Sequence, residues 1–435
     1  MAHNHRPQAW IRRLRILRAA RRAARAQAQT LPREVAAVVA TPTPATVLAR
    51  QHDQLTQASP FDLSRALDAS DRILERAWRV ARRAVSDNRR LEPAAEWLID
   101  NVYLIRNEIR EVRDALPTQV WQQLPRSRAG DGTVVPRMLR VVRACIAQLD
   151  GSVEPEAIER YLDEYQQRAP LDLAELWALA PLLRIALIEG LAAGAAAITR
   201  RLEAYSNAEF WAEYLIGVAA QARDDMLIGV ADMARANPFD SPAFAAELYR
   251  LLEGKHPSLK LALTFAEQQL EKRGTSVARV IDEESRTQAA DQVSIANRIN
   301  GLRRITEYNW SELIERVSAV DRTLSRDPAG AYAYMDFTTR ERYRHTVESL
   351  AQRSGRNETE VARRVLELAQ GERAADADPR VRHVGNYLIG QGRTALEREL
   401  GARPPAEHRL AARLRRWPSM TYLGSILAFT AAVTA

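Results

Sequence analysis

"LDLAELWALAPLLRIALIEGLAAGAAAITRRLEAY", residues 171–205, is apolar on nearly every side when it is drawn as a helix. Asp172 and Glu175 stand at its start with the three-residue spacing of a capping box, which marks a helix N-terminus. A helix that lacks a polar face is stable only when other parts of the protein cover it. The stretch therefore predicts a buried central helix, with a bend at Pro181.

The composition favours helix along the rest of the chain. Ala, Leu, Arg and Glu dominate over β-branched and aromatic residues, and only 18 of the 435 residues are Gly. Helix propensity is therefore high almost everywhere. We therefore predict an all-α fold. Because no repeat of fixed period is present, a regular solenoid is not expected, and we predict an irregular multi-helix bundle of helical hairpins. At this length the bundle forms one large domain or two lobes.

Two further stretches give specific helix predictions. Residues 93–117 are predicted as one helix, with Pro93 at its first position and Trp97, Ile105 and Ile109 on one face. Residues 207–235 continue the helical pattern after the central stretch, so we expect a new helix there.

The charge and cysteine content narrow the class of protein. The chain has 63 Lys plus Arg against 55 Asp plus Glu, which gives a net charge of +8. Nearly all of the positive charge is Arg, a bias that a GC-rich genome also produces, so nucleic acid is not indicated as a partner.

The chain has a single cysteine, Cys145, which lies in an apolar helical pattern. One cysteine excludes a disulfide framework and is compatible with a reducing cytoplasm.

The N-terminal segment differs from the helical middle of the chain. Residues 1–29 form a basic arm without the apolar core of a signal peptide. Its apolar face around Trp10 suits an anionic membrane surface, although a solvated basic tail explains the composition equally well. Pro and Thr interrupt the periodicity over residues 30–60, which we interpret as a linker, with ordered structure and a helical domain over 61–405.

The C-terminal segment is apolar. Residues 420–435 carry no charge but fall short of the ~20 residues that span a bilayer. Arginines cluster immediately before them in HRLAARLRRW, residues 408–417. Residues 406–435 are therefore set apart as a basic and then apolar C-terminal segment.

The segment MDFTTRERYRHTVESLAQRSG, residues 335–355, and the helix after it allow two interpretations. Thr338 and Asn357 are predicted to cap two helices that meet at Gly355, a layout shared with DNA-binding helix-turn-helix motifs. Arg356, however, lies where that motif buries an apolar side chain, and so does Arg364. We therefore favour a helical hairpin of the scaffold. In this hairpin the residues predicted to pack inward are Met335, Phe337, Tyr343 and Val347, and those predicted to face solvent are Arg340, Arg342 and Arg344.

Patterns that suggest chemistry are weak. His345 and Glu348 share a helix face, but no second pair of metal ligands accompanies them. The adjacent acidic pairs Asp224 with Asp225 and Glu283 with Glu284 point in different directions on a helix, so we expect surface charges. Four tryptophans that lie in apolar periodicity are predicted to be core anchors: Trp97, Trp177, Trp211 and Trp310.

Two short patterns have the form of glycosyltransferase motifs. They are DAD at residues 376–378 and RLRRW at residues 413–417. No strand or nucleotide-binding domain stands before either of them, so both are interpreted as coincidences of composition. The residues by themselves therefore assign no catalytic, cofactor-binding or metal-binding position.

Six stretches carry a family resemblance. In chain order they are NRRLEPAAEWLIDN (88–101), IREVRDALP (109–117), LAELWALAPLLRIALIEGL (173–191), QAADQVSIANRINGLRRI (288–305), DPAGAYAYMDFTTRERYRHTVESLA (327–351) and HVGNYLIGQGRTALE (383–397). Together they resemble the N-terminal region of the cyclic β-1,2-glucan synthases, which are large inner-membrane enzymes. The similarity runs from about residue 61 to the C-terminus.

The resemblance implies a function. In that family the region precedes membrane spans, a glucosyltransferase domain that uses UDP-glucose and a divalent cation, and glycoside-hydrolase-like and phosphorylase-like domains. The resemblance implies that residues 406–435 are a basic juxtamembrane segment and the start of the first transmembrane helix, with the preceding helices in the cytoplasm by the positive-inside tendency. The chain then ends inside that first span, so no catalytic residue carries over. The resemblance implies a module that positions the transferase domain or helps to start the glucan chain, with residues 1–417 on the cytoplasmic side of a bacterial inner membrane. Its implied partners are the transferase and membrane domains and, through both chain ends, membrane lipid.

Two alternatives stay open at this point. The chain could be a stand-alone adaptor on a membrane surface, with its apolar end as a peripheral anchor. It could also be a DNA-binding regulator that uses the hairpin around Gly355 and the basic arm.

Overall fold

The computed structural model describes residues 43–51, 63–115, 124–128, 133–221, 226–371 and 379–403. Over these residues the chain is almost entirely α-helical, which confirms the predicted all-α fold. The sheet found there has two short antiparallel strands, β1 (Arg126–Arg128) and β2 (Val134–Pro136), with Ser127 opposite Val135. The basic arm at 1–29 and the apolar segment at 406–435 lie outside the described residues.

The helices are, in chain order, α1 (Ala45–Gln51), α2 (Leu63–Ser86), α3 (Pro93–Asp100), α4 (Val102–Ala115), α5 (Arg137–Gln148), α6 (Pro155–Gln166), α7 (Leu173–Trp177), α8 (Leu179–Gln221), α9 (Met226–Ala236), α10 (Pro242–Leu252), α11 (Lys260–Glu271), α12 (Val277–Glu307), α13 (Trp310–Val317), α14 (Ala319–Leu324), α15 (Phe337–Ser354), α16 (Glu358–Gln370), α17 (Pro379–Arg382), α18 (Val384–Leu388) and α19 (Arg393–Leu400). Short 3₁₀ helices occupy Pro238–Asp240, Pro257–Leu259 and Tyr332–Tyr334.

The chain divides into two compact units. The first unit lies within Met1–Tyr161 and Leu179–Tyr308, and the second unit lies within Leu162–Ala178 and Asn309–Ala435. The second unit therefore contains a short segment that comes from the middle of the first unit's sequence. It includes α7, whose Leu173 packs into the core of the second unit.

Helix α8 is the centre of the first unit. It has 43 residues, about 65 Å at 1.5 Å per residue, and packs against α2, α5, α10 and α12. Leu182, Leu187 and Leu191 on this helix are fully buried, as the apolar pattern predicts. By length and composition Leu179–Ala220 is also the one described helix that could cross a membrane, but 67% of its most apolar window is buried inside the protein.

The ends of the central helix differ from the prediction. The capping box of Asp172 and Glu175 is present, but it starts the short α7, which ends before Ala178. Pro181 explains the interruption, because its ring clashes with the carbonyl four residues earlier and it has no N–H to donate. Helix α8 then continues past the boundary expected before Asn207. Core packing of Trp211 on this part of the helix outweighs the weak local preference for a break.

Two other predicted boundaries are wrong for local reasons. The single helix expected over 93–117 is divided at Asn101, whose side-chain amide donates to the carbonyl of Trp97 at 2.9 Å and competes with the helical bonds. Pro93 does occupy the first turn, as predicted. Helix α1 lies within the range expected to be a linker, because Leu48 and its buried neighbours form a short apolar stripe.

The part of the first unit formed by α10, α11 and the C-terminal part of α8 has an aromatic core. Phe244 is fully buried, and its ring lies 5.4 Å from that of Phe239, which in turn lies 5.9 Å from Phe265. Asn237 adopts φ 42° just before Pro238, which turns the chain into this cluster. The cluster joins α10 and α11 to the end of α8.

The second unit packs α15, α16, α18 and α19 around Val347, Val361, Val365 and Leu388, which are fully buried. Gly355 ends α15 with φ 69° and Asn357 caps α16 by accepting from the Thr359 N–H, so the predicted hairpin is confirmed. The first cap is not Thr338, because the carboxylate of Asp336 accepts from the Thr339 N–H at 2.8 Å.

Removal of the Phe244 ring should destabilise the first unit. We expect Phe244→Ala to lower the free energy of unfolding by about 3–5 kcal/mol, because a fully buried ring leaves a cavity. Leu227→Ala, at a side chain that is 66% exposed, should change it by less than about 0.5 kcal/mol. Urea unfolding measures both, and equal losses would contradict the assigned core.

Candidate functional site

A cleft of about 650 Å³ opens in the first unit. Its walls come from the loop between α2 and α3, which contains residues 87–92, and from α8, α10 and α12. The volume lies in the range of small-molecule sites. The polar and charged residues that line the cleft are Asp87, Asn88, Arg89, Arg90, Glu92, Tyr205, Glu209, Glu213, Glu247, Arg250, Glu284, Ser285 and Gln288.

A buried arginine holds the walls of this cleft together. Arg201 on α8 is 6% exposed and forms ion pairs with Glu92, with Glu284 at 2.7 Å and with Asp291 at 2.6 Å. Glu92 precedes α3 and the other two carboxylates lie on α12. One guanidinium therefore fixes the cleft loop and α12 onto the central helix.

Glu92 is the most buried charged group of the cleft. Its Oε2 accepts from Arg201, whereas its Oε1 is buried without a hydrogen-bond partner in the described part of the chain. Burial raises the pKa of Glu92 from 4.5 to about 7, against the opposing effect of Arg201. Near neutral pH this carboxyl can therefore accept or donate a hydrogen bond.

Tyr205 and Gln288 extend this network along the wall. The Tyr205 hydroxyl donates to Glu284 at 3.2 Å and accepts from the Gln288 amide at 2.7 Å. Burial, together with the charge of Glu284, raises the pKa of Tyr205 well above its usual range. The wall thus presents a neutral hydroxyl and a neutral amide.

The remaining arginines of the cleft are largely paired on its surface. Arg89 contacts Glu209 at 3.0 Å, and Arg250 contacts Glu247 at 2.5 Å. These pairs are partly exposed, so they contribute little to stability but reduce the free charge of the cleft.

The second unit has a buried arginine of its own. Arg344 on α15 is 1% exposed and bonds Asp321 on α14 at 3.0 Å, Glu315 on α13 at 2.6 Å and Glu341 at 3.0 Å. The Tyr332 hydroxyl also donates to Asp321, at 2.6 Å. The cluster binds three successive helices to each other.

Asp327 forms a second anchor in this unit. Its buried carboxylate accepts from the backbone N–H groups of Tyr332 at 3.2 Å and Val384 at 3.0 Å, and from His383 Nδ1 at 2.7 Å. With Nδ1 protonated, His383 Nε2 accepts from the Tyr343 hydroxyl at 3.0 Å. Burial raises the pKa of Tyr343, which is 4% exposed, so the arrangement joins α15 to α18 rather than presenting a nucleophile.

Glu358 links the separate chain segment of the second unit to α16. Its Oε2 accepts from the Leu173 N–H at 2.7 Å, across 185 residues of sequence. Burial raises the pKa of Glu358 from 4.5 to about 8, although the Leu173 N–H opposes this shift.

Three side-chain placements predicted from the sequence are wrong. Arg344 is buried rather than solvent-facing, because several carboxylates surround it. Phe337 is 41% exposed rather than packed inward, although its ring lies 6.0 Å from that of Trp177. Glu284 belongs to the Arg201 cluster rather than to a plain surface. The placements of Arg344 and Glu284 depend on partners that are distant in sequence.

Several side chains predicted to be buried are confirmed as buried. Tyr343 and Val347 are buried, and Cys145 is buried in α5 with its pKa raised to about 12. Trp211 and Trp310 are core residues, whereas Trp97 and Trp177 are half-buried.

His345 only approaches Glu348, at 3.5 Å. Within the described ranges no group of His, Cys, Asp and Glu is placed to hold a metal ion. The patterns at 224–225, 376–378 and 413–417 lie outside those ranges.

Sequence reasoning missed the buried clusters, yet a signal for them was present. Glu92, Asp291, Asp327, Arg344 and His383 all lie within the stretches that carry the family resemblance. Charged residues inside these stretches, next to apolar helical positions, were the available sign of buried ion pairs.

The fold and these clusters define an all-α protein whose helices are tied together by buried, multiply bonded charges. No family model matches the chain. The chain is 31% identical over 361 residues to the cyclic beta-(1,2)-glucan synthase NdvB of Rhizobium meliloti (strain 1021). The match covers 82% of this chain and 12% of that enzyme. The chain is thus related to the cyclic β-1,2-glucan synthases, as predicted, and spans about an eighth of this relative.

Loss of Arg344 should strongly destabilise the second unit. We expect Arg344→Met to cost about 3–5 kcal/mol of unfolding free energy, because Asp321 then stays buried without its cation. Arg342→Met, at an exposed position of the same helix, should cost less than about 0.5 kcal/mol. Chemical denaturation measures the unfolding free energy of both variants. If Arg344→Met loses no more stability than Arg342→Met, the buried cluster assigned to Arg344 is wrong.

Glu358 should make stability depend on pH. Its folded pKa lies near 8 and its unfolded value near 4.5, so the folded state retains a proton that the unfolded state has lost. Its contribution is complete below the lower value and is lost as the pH rises through the upper one. Glu358→Gln should therefore gain stability relative to the native chain between about pH 5 and about pH 9.

The neighbouring Glu360→Gln provides the control, since Glu360 is exposed on the same helix. It accounts for the general effect of removing one carboxylate from α16. Thermal unfolding across the pH range gives the comparison. If the two variants change in parallel, the assigned role of Glu358 is wrong.

Proposed function

We propose that this chain is the cytoplasmic helical module of a membrane-bound cyclic β-1,2-glucan synthase and that it acts as a scaffold. In this role it positions a UDP-glucose-dependent transferase domain, or helps that domain to start a glucan chain, and supplies no catalytic residue of its own. The transferase and membrane domains are its proposed partners, together with inner-membrane lipid at the chain ends.

The similarity to NdvB over 82% of the chain is the observation that supports this proposal most directly. The geometry supports the scaffold role within that relation. Arg201 in the first unit and Arg344 in the second unit each bond three carboxylates, and a cation held in this way cannot shift without leaving charges unpaired. Rigid helices are what a positioning module requires.

The DNA-binding alternative receives less support. Arg364, on the second helix of the hairpin, bonds Glu367 and Glu399 at 2.7 Å each. A guanidinium engaged by two carboxylates is less available to a phosphate backbone than a free one.

The test uses the full-length synthase that contains this region. Deletion of residues 43–403 should abolish glucan formation from UDP-glucose in membrane vesicles, and Arg344→Met should reduce it, with Arg342→Met as the matched control. Immunodetection verifies that each enzyme reaches the membrane. Recovery of the deletion variant by an added gluco-oligosaccharide primer would indicate a role in starting chains. Unchanged synthesis after deletion would refute the module's role.

A further inference from the structure

We propose that the cleft of the first unit binds a neutral, polyhydroxylated ligand, an oligosaccharide. The cleft is the one bounded by the α2–α3 loop, α8, α10 and α12. Its charge balance, its unpaired buried oxygen and its neutral polar groups support this ligand class.

The charge balance disfavours phosphate-bearing ligands. Six carboxylates line the cleft, from Asp87, Glu92, Glu209, Glu213, Glu247 and Glu284, against three guanidiniums, from Arg89, Arg90 and Arg250. Sites that bind phosphate have an excess of positive charge instead, with Arg, Lys or free N–H groups turned to the ligand. A nucleotide sugar is therefore a poor fit, and a ligand without negative charge fits better.

The pairing of those charges disfavours a simple cation site. Glu284 and Glu92 bond Arg201, Glu209 bonds Arg89, and Glu247 bonds Arg250. Four of the six lining carboxylates are thus already engaged by arginines. What these groups retain is hydrogen-bonding capacity on planar carboxylates, guanidiniums and amides, which suits ligand hydroxyls.

One buried acceptor lacks a partner. Glu92 is 6% exposed and lines the cleft, and its Oε1 is buried without a hydrogen bond in the described part of the chain. An unpaired buried oxygen is unfavourable, so a rotation of the Glu92 carboxyl that presents Oε1 to a ligand hydroxyl in the cleft would be favoured. A site that presents such groups discriminates strongly for hydroxylated ligands.

The remaining lining supplies neutral and apolar contacts. The Tyr205 hydroxyl, the Gln288 amide and the Ser285 hydroxyl lie on the wall beside the apolar side chains of Leu202 and Pro93. Sugars present both hydroxyls and C–H faces, and this mixture matches both. The choice of a β-1,2-linked glucan among oligosaccharides rests on the proposed function above.

Calorimetry with the 435-residue chain tests the proposal. The probes are a linear β-1,2-linked gluco-oligosaccharide, UDP-glucose and a lysine-rich peptide. We expect saturable binding of the oligosaccharide that changes little with salt, and no comparable binding of UDP-glucose. Ser285→Trp should fill the cleft and weaken binding at least about tenfold. Arg286→Trp adds the same ring one residue further on α12, outside the lining, and should bind normally.

Gln288→Ala is the second variant and should also weaken binding, by removing a wall amide without adding bulk. Absence of oligosaccharide binding would overturn the proposal, and so would equal effects of Ser285→Trp and Arg286→Trp. Binding of the peptide alone, lost at high salt, would instead identify a cation site. If the synthase loses activity when the module is deleted although the cleft binds no oligosaccharide, that result would support the scaffold role and refute only oligosaccharide binding in the cleft.

Discussion

Buried arginines need several partners at once, and this requirement organises both units. A guanidinium removed from water is stable only when carboxylates and good geometry replace its hydration. Arg201 and Arg344 each meet three carboxylates from different parts of the sequence. Because loss of the arginine would leave its buried carboxylates uncompensated, each cluster favours one arrangement of its helices. Apolar packing supplies the driving force for folding, and the ion pairs select the arrangement.

The two units meet this requirement on different hydrophobic frameworks. The first unit is built along α8, whose apolar surface is covered on several sides by α2, α5, α10 and α12. The second unit has shorter helices and is also held by polar anchors. Asp327 and Glu358 there bind backbone N–H groups of segments that are 57 and 185 residues away in sequence. Polar anchors of this kind hold short helices that have little buried surface of their own.

Two residues of the Arg201 cluster, Glu92 and Glu284, also line the cleft. The Arg201 cluster joins the loop between α2 and α3 to α12, and both of these elements are walls of the cleft. A preorganised site on a rigid module would allow a related synthase to hold a sugar chain at a defined place relative to its transferase domain.

Local spacing in the sequence determined the helices, the hairpin at Gly355 and the caps at Asn357 and Asp172, because these depend on residues within one turn of each other. The buried central helix and the family relation also followed from continuous stretches. Only the tertiary structure decided that Arg344 is buried and that Glu284 joins Arg201. Arg201 and Glu92 are 109 residues apart. No periodicity in the chain records which distant carboxylate will meet a given arginine, since that depends on how the helices pack.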